Sequence, residues 1–243
     1  MIAYRLPVDL LSEIIDRAAP AGVTPQLGLP GLAVVLALAA VAITWWPAWR
    51  VLRLVVALVH ELGHAVVGVL SGRRFTGFVL RSDMSGHAIT VGPARGPGVV
   101  ATTWAGYPAP GVLGALLVWL ASVGWSAPVL TLLVLGLLVA LVFVRSGLTL
   151  AIVLGTAVAL GSLWWWGDDS LQHHLVATLG VVLLVGAWRH LGTVIAGPDR
   201  SSDPSALARA TGVPVWVWQG SFVLVLALST WVVVAELLTV LGG

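Results

Sequence analysis

The 243-residue chain has no cysteine and no lysine, and only 9% of its residues are charged. Lacking cysteine, it can form no disulfide, no thiolate metal site and no cysteine nucleophile, and its composition carries no redox signature. All twelve basic residues are arginines, a usage expected from a G+C-rich genome rather than from chemistry. They stand in short loops and form no basic stretch, so the pI near 9.9 does not point to a nucleic-acid partner. What fills the chain is apolar. Hydrophobic residues make up 59% of it, the mean hydropathy is +1.03, and runs of about 20 apolar residues recur, each long enough to cross a bilayer. The expected class is an all-α polytopic membrane protein, with lipid as its main surroundings.

Residues 1–30 open with VDLLSEIIDRA, where Leu10, Leu11, Ile14, Ile15 and Ala18 recur at helical spacing beside Asp9, Glu13, Asp16 and Arg17. This predicts an amphipathic helix on the membrane surface. It lacks the basic start, short apolar core and small-residue cleavage site of a removable signal peptide. Residues 31–243 read as a single membrane-embedded domain without repeats. About seven transmembrane helices are expected, near 31–48, 51–71, two within 96–144 broken near Gly124–Pro128, then 147–166, 171–190 and 214–238. Between Ser71 and Pro97 the segment RRFTGFVLRSDMSGHAITVG places β-branched and aromatic residues around an SDMSG turn, which predicts a small β-hairpin. With the N-terminus in the cytoplasm, every arginine except Arg50 and Arg53 falls on the cytoplasmic side, together with the hairpin. Tryptophans cluster at span ends as interface anchors.

Against this background the stretch VHELGHA at residues 59–65, inside the second span, stands out. Side chains four apart share a helix face, so His60 and His64 can reach one cation, while Glu61 can approach water beside it. A chain with six histidines and three glutamates would contain this H-E-x-x-H pattern by chance only about 0.002 times. Ionisable groups inside a span are expensive and are kept for function. The motif lies roughly 9–15 Å from the cytoplasmic end of its span at 1.5 Å per residue.

A catalytic zinc needs three protein ligands and one open position. The remaining ionisable residues on the cytoplasmic side are His87, His190, Asp83, Asp199 and Asp203. Asp203, in SSDPSALARATGVP before the last span, is favoured. The same segment also reads as a helix with Asp203 as its N-cap, Pro204 at the first helical position and a C-terminal glycine, and the two roles are compatible. His87 is a candidate for stabilising an oxyanion. His173 and His174 are adjacent, so their side chains diverge and a second metal site there is not expected. Gly106, Gly111 and Gly114 are read as close helix-packing positions, and Glu236 as interfacial.

VHELGHAVVGVLSG, AGYPAPGVLG and SSDPSALARATGVP together resemble the M50 metallopeptidases, the site-2 protease class, and within it the M50B-like bacterial branch. The resemblance implies an intramembrane zinc protease of the bacterial cytoplasmic membrane. His60, His64 and Asp203 would hold Zn2+, Glu61 would be the catalytic glutamate, and the hairpin at 73–93 would present a membrane-protein or peptide substrate by edge pairing. This chain has Asp203-Pro204 where the better-known members have Asp-Gly. A catalytically inactive relative that binds membrane proteins is the alternative. A transporter would need polar groups on several spans at one depth, whereas the third to fifth spans carry no charge in their interiors, and one two-histidine motif cannot build a di-iron site. Substrate identity, regulators and oligomeric state leave no mark in the sequence.

Overall fold

A computed structural model describes residues 8–22, 27–83, 85–197 and 200–242. Arg5, Asp199 and the remainder of the first seven residues lie outside this set. The described elements, in chain order, are α1 (Val8–Arg17), α2 (Gly28–Thr44), α3 (Trp46–Leu70), β1 (Arg74–Leu80), β2 (Gly86–Val91), α4 (Pro97–Trp104), α5 (Pro108–Ser122), α6 (Ser126–Leu141), α7 (Gly147–Trp166), α8 (Asp169–Ala196), α9 (Asp203–Thr211) and α10 (Val215–Gly242). The fold is mostly helical with one two-stranded antiparallel sheet.

Each apolar run falls on a helix, but length separates them. Four helices, α3, α7, α8 and α10, are long and apolar enough to cross a membrane, and a fifth crossing is available if α4 and α5 are taken together. Helices α2 and α6, with 17 and 16 residues, are apolar but shorter. The expected seven crossings are therefore four, or five, by this measure. The first run is shortened because Trp45 adopts an extended conformation and Pro47 starts a new helix there. The run from 97 to 122 is bent by 62° at residues 105–107. Pro108 and Pro110 explain the break, since neither offers an N–H to the carbonyl four residues earlier.

Helix packing centres on α5 and α8, which run antiparallel with glycines at the contact. A Cβ on Gly114 would stand 2.5 Å from the Gly180 carbonyl oxygen, and one on Gly111 would collide with Leu226 of α10. These two glycines allow backbones to approach, as expected. Helix ends are set locally: Ser146 and Asp168 accept hydrogen bonds from Thr149 N and Leu171 N at the starts of α7 and α8, and Gly212 ends α9 in the left-handed conformation.

The hairpin matches the expected segment and lies along α3. Thr90 of β2 contacts Gly68, and Arg53 donates to the Ser82 carbonyl at the hairpin tip at 2.9 Å. The outer edge of β1 is covered by the chain after α6, with Phe78 N donating to Phe143 O (3.0 Å) and Arg145 N to Phe78 O (3.2 Å).

The N-terminal helix departs from expectation in position. Ala21 N donates to Gly124 O, Arg17 donates to Trp165 O and lies over that indole, and Gly31 packs against His174. All of these partners lie at the ends of α5, α7 and α8 remote from His190, whereas the HELGH segment lies at the His190 end. The N-terminal helix and the HELGH segment thus occupy opposite ends of the bundle, whereas the arginine count placed them together. The physical reason is that α2 runs alongside α8 in the same direction, from His174 to Arg189, whose guanidinium donates to Ile43 O at 3.0 Å. The exposed Leu10, Leu11, Ile14 and Ile15 leave α1 with an outward apolar face, as its periodicity predicted.

Replacing Gly114 by leucine should separate α5 from α8 and destabilise the bundle by about 1–3 kcal/mol. Thermal unfolding in detergent should show a lower Tm, whereas Gly161→Ala in α7, where nothing lies within 4 Å of the added Cβ, should leave it unchanged.

Candidate metal site

The helical period of α3 puts His60 and His64 on one face, and both are buried with Glu61 between them. His64 Nδ1 lies 2.7 Å from the Thr102 carbonyl in α4. A carbonyl can only accept, so this contact places the proton on Nδ1 and leaves the Nε2 lone pair free. His64 Nε2 is 3.1 Å from His60 Nε2. Asp203 Oδ2, at the start of α9, lies 3.1 Å from the first ring and 3.2 Å from the second.

These three atoms form a nearly equilateral triangle. A tetrahedral ion with bonds of about 2.0–2.2 Å separates its ligand atoms by about 3.4 Å, so the triangle is close to the size required, with the fourth position open. Asp203 Oδ2 is buried yet accepts no hydrogen bond of normal geometry, which fits an oxygen directed at a cation rather than at an N–H. Among the described residues, His60, His64 and Asp203 are the group of histidine and carboxylate side chains that could hold a metal ion. The donor set of two nitrogens and one oxygen suits zinc.

The local structure of α9 answers the question raised by the Asp-Pro sequence. Ser202, in an extended conformation, takes the capping position, Asp203 begins the helix and Pro204 follows it. Asp203 is therefore inside the first turn with its side chain turned to the histidines. The other third-ligand candidates are elsewhere. Asp83 Oδ1 accepts from both the backbone and the hydroxyl of Ser85 in the hairpin turn, and these hydrogen bonds hold its carboxyl below the ordinary aspartate range. His87 stands on the exposed face of β2, beside the same cavity as Glu61. His190 lies behind His60, with ring centroids 5.0 Å apart. Asp199 is outside the described residues.

Two glycines shape the space around the motif, and only one had been singled out, as a packing position. Gly106, in the bend between α4 and α5, faces the imidazoles: an added Cβ would be 2.5 Å from His64 Cε1 and Nε2 and 2.6 Å from His60 Nε2. Gly86, at the start of β2, packs on the Glu61 carboxylate in the same way. Tyr107 was not anticipated. It is buried, meets His60 edge-on at 4.8 Å and stacks on Phe222 of α10. Its signal in the sequence was an aromatic side chain between Gly106 and Pro108, at the predicted depth of the histidines.

A cavity of about 370 Å3 opens onto His60, Glu61 and His64 and is lined by consecutive residues of β2, from Gly86 to Thr90, with Thr102, Thr103 and Ala206. Glu61 is 4% exposed and its Oε2 has no partner among the described residues. At the remote end of the bundle His173 is fully enclosed, and His174 Nδ1 lies 2.6 Å from the Ser170 carbonyl. Their rings are 5.8 Å apart at a steep angle, and they share no ligand geometry. Glu236 accepts from Ser122 Oγ at 2.7 Å.

Gly106→Val should push both imidazoles off the triangle and weaken metal retention by roughly 10–100-fold. Competition with a chelator of known affinity would measure the loss, and Gly155→Ala, on an open face of α7, should show none.

The sequence matches the Peptidase M50B-like family over residues 32–233. No curated protein and no solved structure gives a match. The matched range covers most of the chain and includes α3, the hairpin, the bend at Gly106 and α9. The chain therefore belongs to the M50B-like peptidase family.

Proposed function

We propose that the protein is an intramembrane zinc metalloprotease of the site-2 class, which hydrolyses peptide bonds in or beside membrane-spanning segments. The observation that carries this reading is the convergence of His60 Nε2, His64 Nε2 and Asp203 Oδ2 within 3.2 Å of one another, beside the buried Glu61. A zinc ion held there would lower the pKa of water toward neutrality and polarise a scissile carbonyl. Glu61 supplies the proton chemistry. Its carboxylate takes a proton from the attacking water and delivers it to the departing nitrogen. Gly86 packs against that carboxylate, which borders the cavity together with His60 and His64.

A substrate helix has its peptide groups satisfied internally and must open before it can be cut. The hairpin supplies the means. With β1 covered by residues 143–145, an extended peptide would pair with β2, whose residues 86–90 line the cavity. Peptide added there would pass beside Glu61. His87, on the same strand, is the proposed oxyanion donor.

Orientation follows from the arginines. Arg73, Arg74, Arg81, Arg95, Arg145, Arg200 and Arg209 surround the hairpin and α9, and Arg53 reaches the hairpin tip. Arg17 alone among the described arginines packs at the remote end. The site end thus faces the cytoplasm, and α1 lies on the opposite membrane surface.

Purified wild type should contain about one zinc per chain, and His64→Ala and Asp203→Ala should lose most of it, by elemental analysis. Glu61→Gln should keep zinc and lose at least about 100-fold in cleavage of a membrane-embedded peptide. Binding of such a peptide without cleavage by zinc-loaded wild type would replace the protease with an inactive membrane-protein binder. For topology, single cysteines placed at Ser12 and Asp83 in this cysteine-free chain should react with impermeant maleimide from opposite sides of sealed vesicles.

A further inference from the structure

A histidine that binds a metal needs something to set the rotation of its ring, because the torsion beyond Cβ is broad. The usual device is an acceptor for the ring N–H that points away from the ion. His64 has one in the Thr102 carbonyl, 2.7 Å from Nδ1. His60 is held differently. Its Nε2 belongs to the triangle with His64 and Asp203, while its Nδ1 is buried and meets no hydrogen-bond partner among the described residues.

Rings surround His60 instead. Tyr107 stands perpendicular to it, at 88° with centroids 4.8 Å apart, and His190 lies tilted at 48° and 5.0 Å. Tyr107 and His190 are themselves 5.0 Å apart, so the two close on the imidazole together. The tyrosine is in turn backed by Phe222 of α10, stacked at 5.2 Å and 23°, within a buried cluster that includes Leu191 and Leu226. His190 was one of the third-ligand candidates, yet the group able to hold an ion does not include it.

We infer that Tyr107 and His190 are positioning residues for the metal site: their rings form an aromatic seat that fixes the His60 imidazole, in the role that a hydrogen-bond acceptor plays for His64. The inference rests on the metal site proposed above. Edge-to-face rings attract through their quadrupoles and resist rotation by contact, and an N–H on the edge of an imidazole suits the face of a neighbouring ring. The bend at 105–107 thus serves the site at adjacent residues: Gly106 clears room for both imidazoles, and Tyr107 holds one of them. Because ring shape and ring faces do the holding, the phenol hydroxyl and the His190 nitrogens are dispensable, whereas the rings are not.

The test uses the full chain in detergent, loaded with zinc or with cobalt(II). Chelator competition gives metal affinity, and the visible absorption of bound cobalt reports ligand geometry. Tyr107→Leu and His190→Leu should each weaken zinc retention roughly 10–100-fold and alter the cobalt spectrum. Tyr107→Phe and His190→Phe, which keep a ring, should match wild type in both. Leu226→Ala removes packing from the same cluster but no ring, so it should lower Tm and leave the cobalt spectrum unchanged. Leucine variants with wild-type affinity and spectrum would overturn the inference while leaving the metal site standing. Phenylalanine variants as impaired as the leucine ones would also overturn it, since a hydrogen bond would then be the holding contact. So would a cobalt spectrum altered equally by Leu226→Ala, the mark of general core packing. Wild type that binds neither ion would remove the metal site and the inference with it.

Discussion

Everything near the site depends on keeping two imidazoles and two carboxylates at fixed separations inside an apolar bundle. Isolated, each of these groups would cost several kcal/mol to bury. Here His64 hydrogen-bonds to Thr102, Asp203 faces both rings, and Glu61 lies along β2. The supporting parts are small residues and breaks. Gly106 and Gly86 yield space to the side chains, and Pro108 and Pro110 bend the span so that Gly106 can approach. The aromatic backing of Tyr107 and Phe222 then ties His60 to α10.

The parts that were legible in the sequence were those with a short physical period or a local chemical rule. Apolar runs marked the helices, the SDMSG turn marked the hairpin, and the four-residue spacing of His60 and His64 marked their shared face. Asp203 was legible only as one of several acids and histidines, because its approach depends on where α9 packs, a distance of some 140 residues along the chain. Its local context also allowed a capping role, and that was decided by Ser202 standing one residue earlier. Gly106 was legible as a close-packing position but not as one facing the imidazoles, because a missing side chain does not say which neighbour needs the room. Span lengths were harder to read for a related reason: hydropathy sums over a window, and it passes smoothly through Trp45 and the bend at 105–107, where backbone geometry interrupts the helix.

The direction of α2 had no local signature at all. Charge balance alone favoured an N-terminus beside the other arginines, and Arg17 was counted with them. The packing of Gly31 on His174 and of Arg17 on Trp165 reverses that placement. Moving Arg17 away while Arg53 joins the hairpin leaves the arginine excess at the same end. A rule based on totals thus keeps its overall balance even when an individual segment moves to the other end of the bundle.

An exposed strand edge is a template for any neighbouring chain, and a membrane crowds proteins into two dimensions where such encounters are frequent. Residues 143–145 seal β1 on one side, and the free edge of β2 is turned inward onto the cavity beside Glu61. The sheet can therefore grow by one strand in one place only, along β2 beside Glu61.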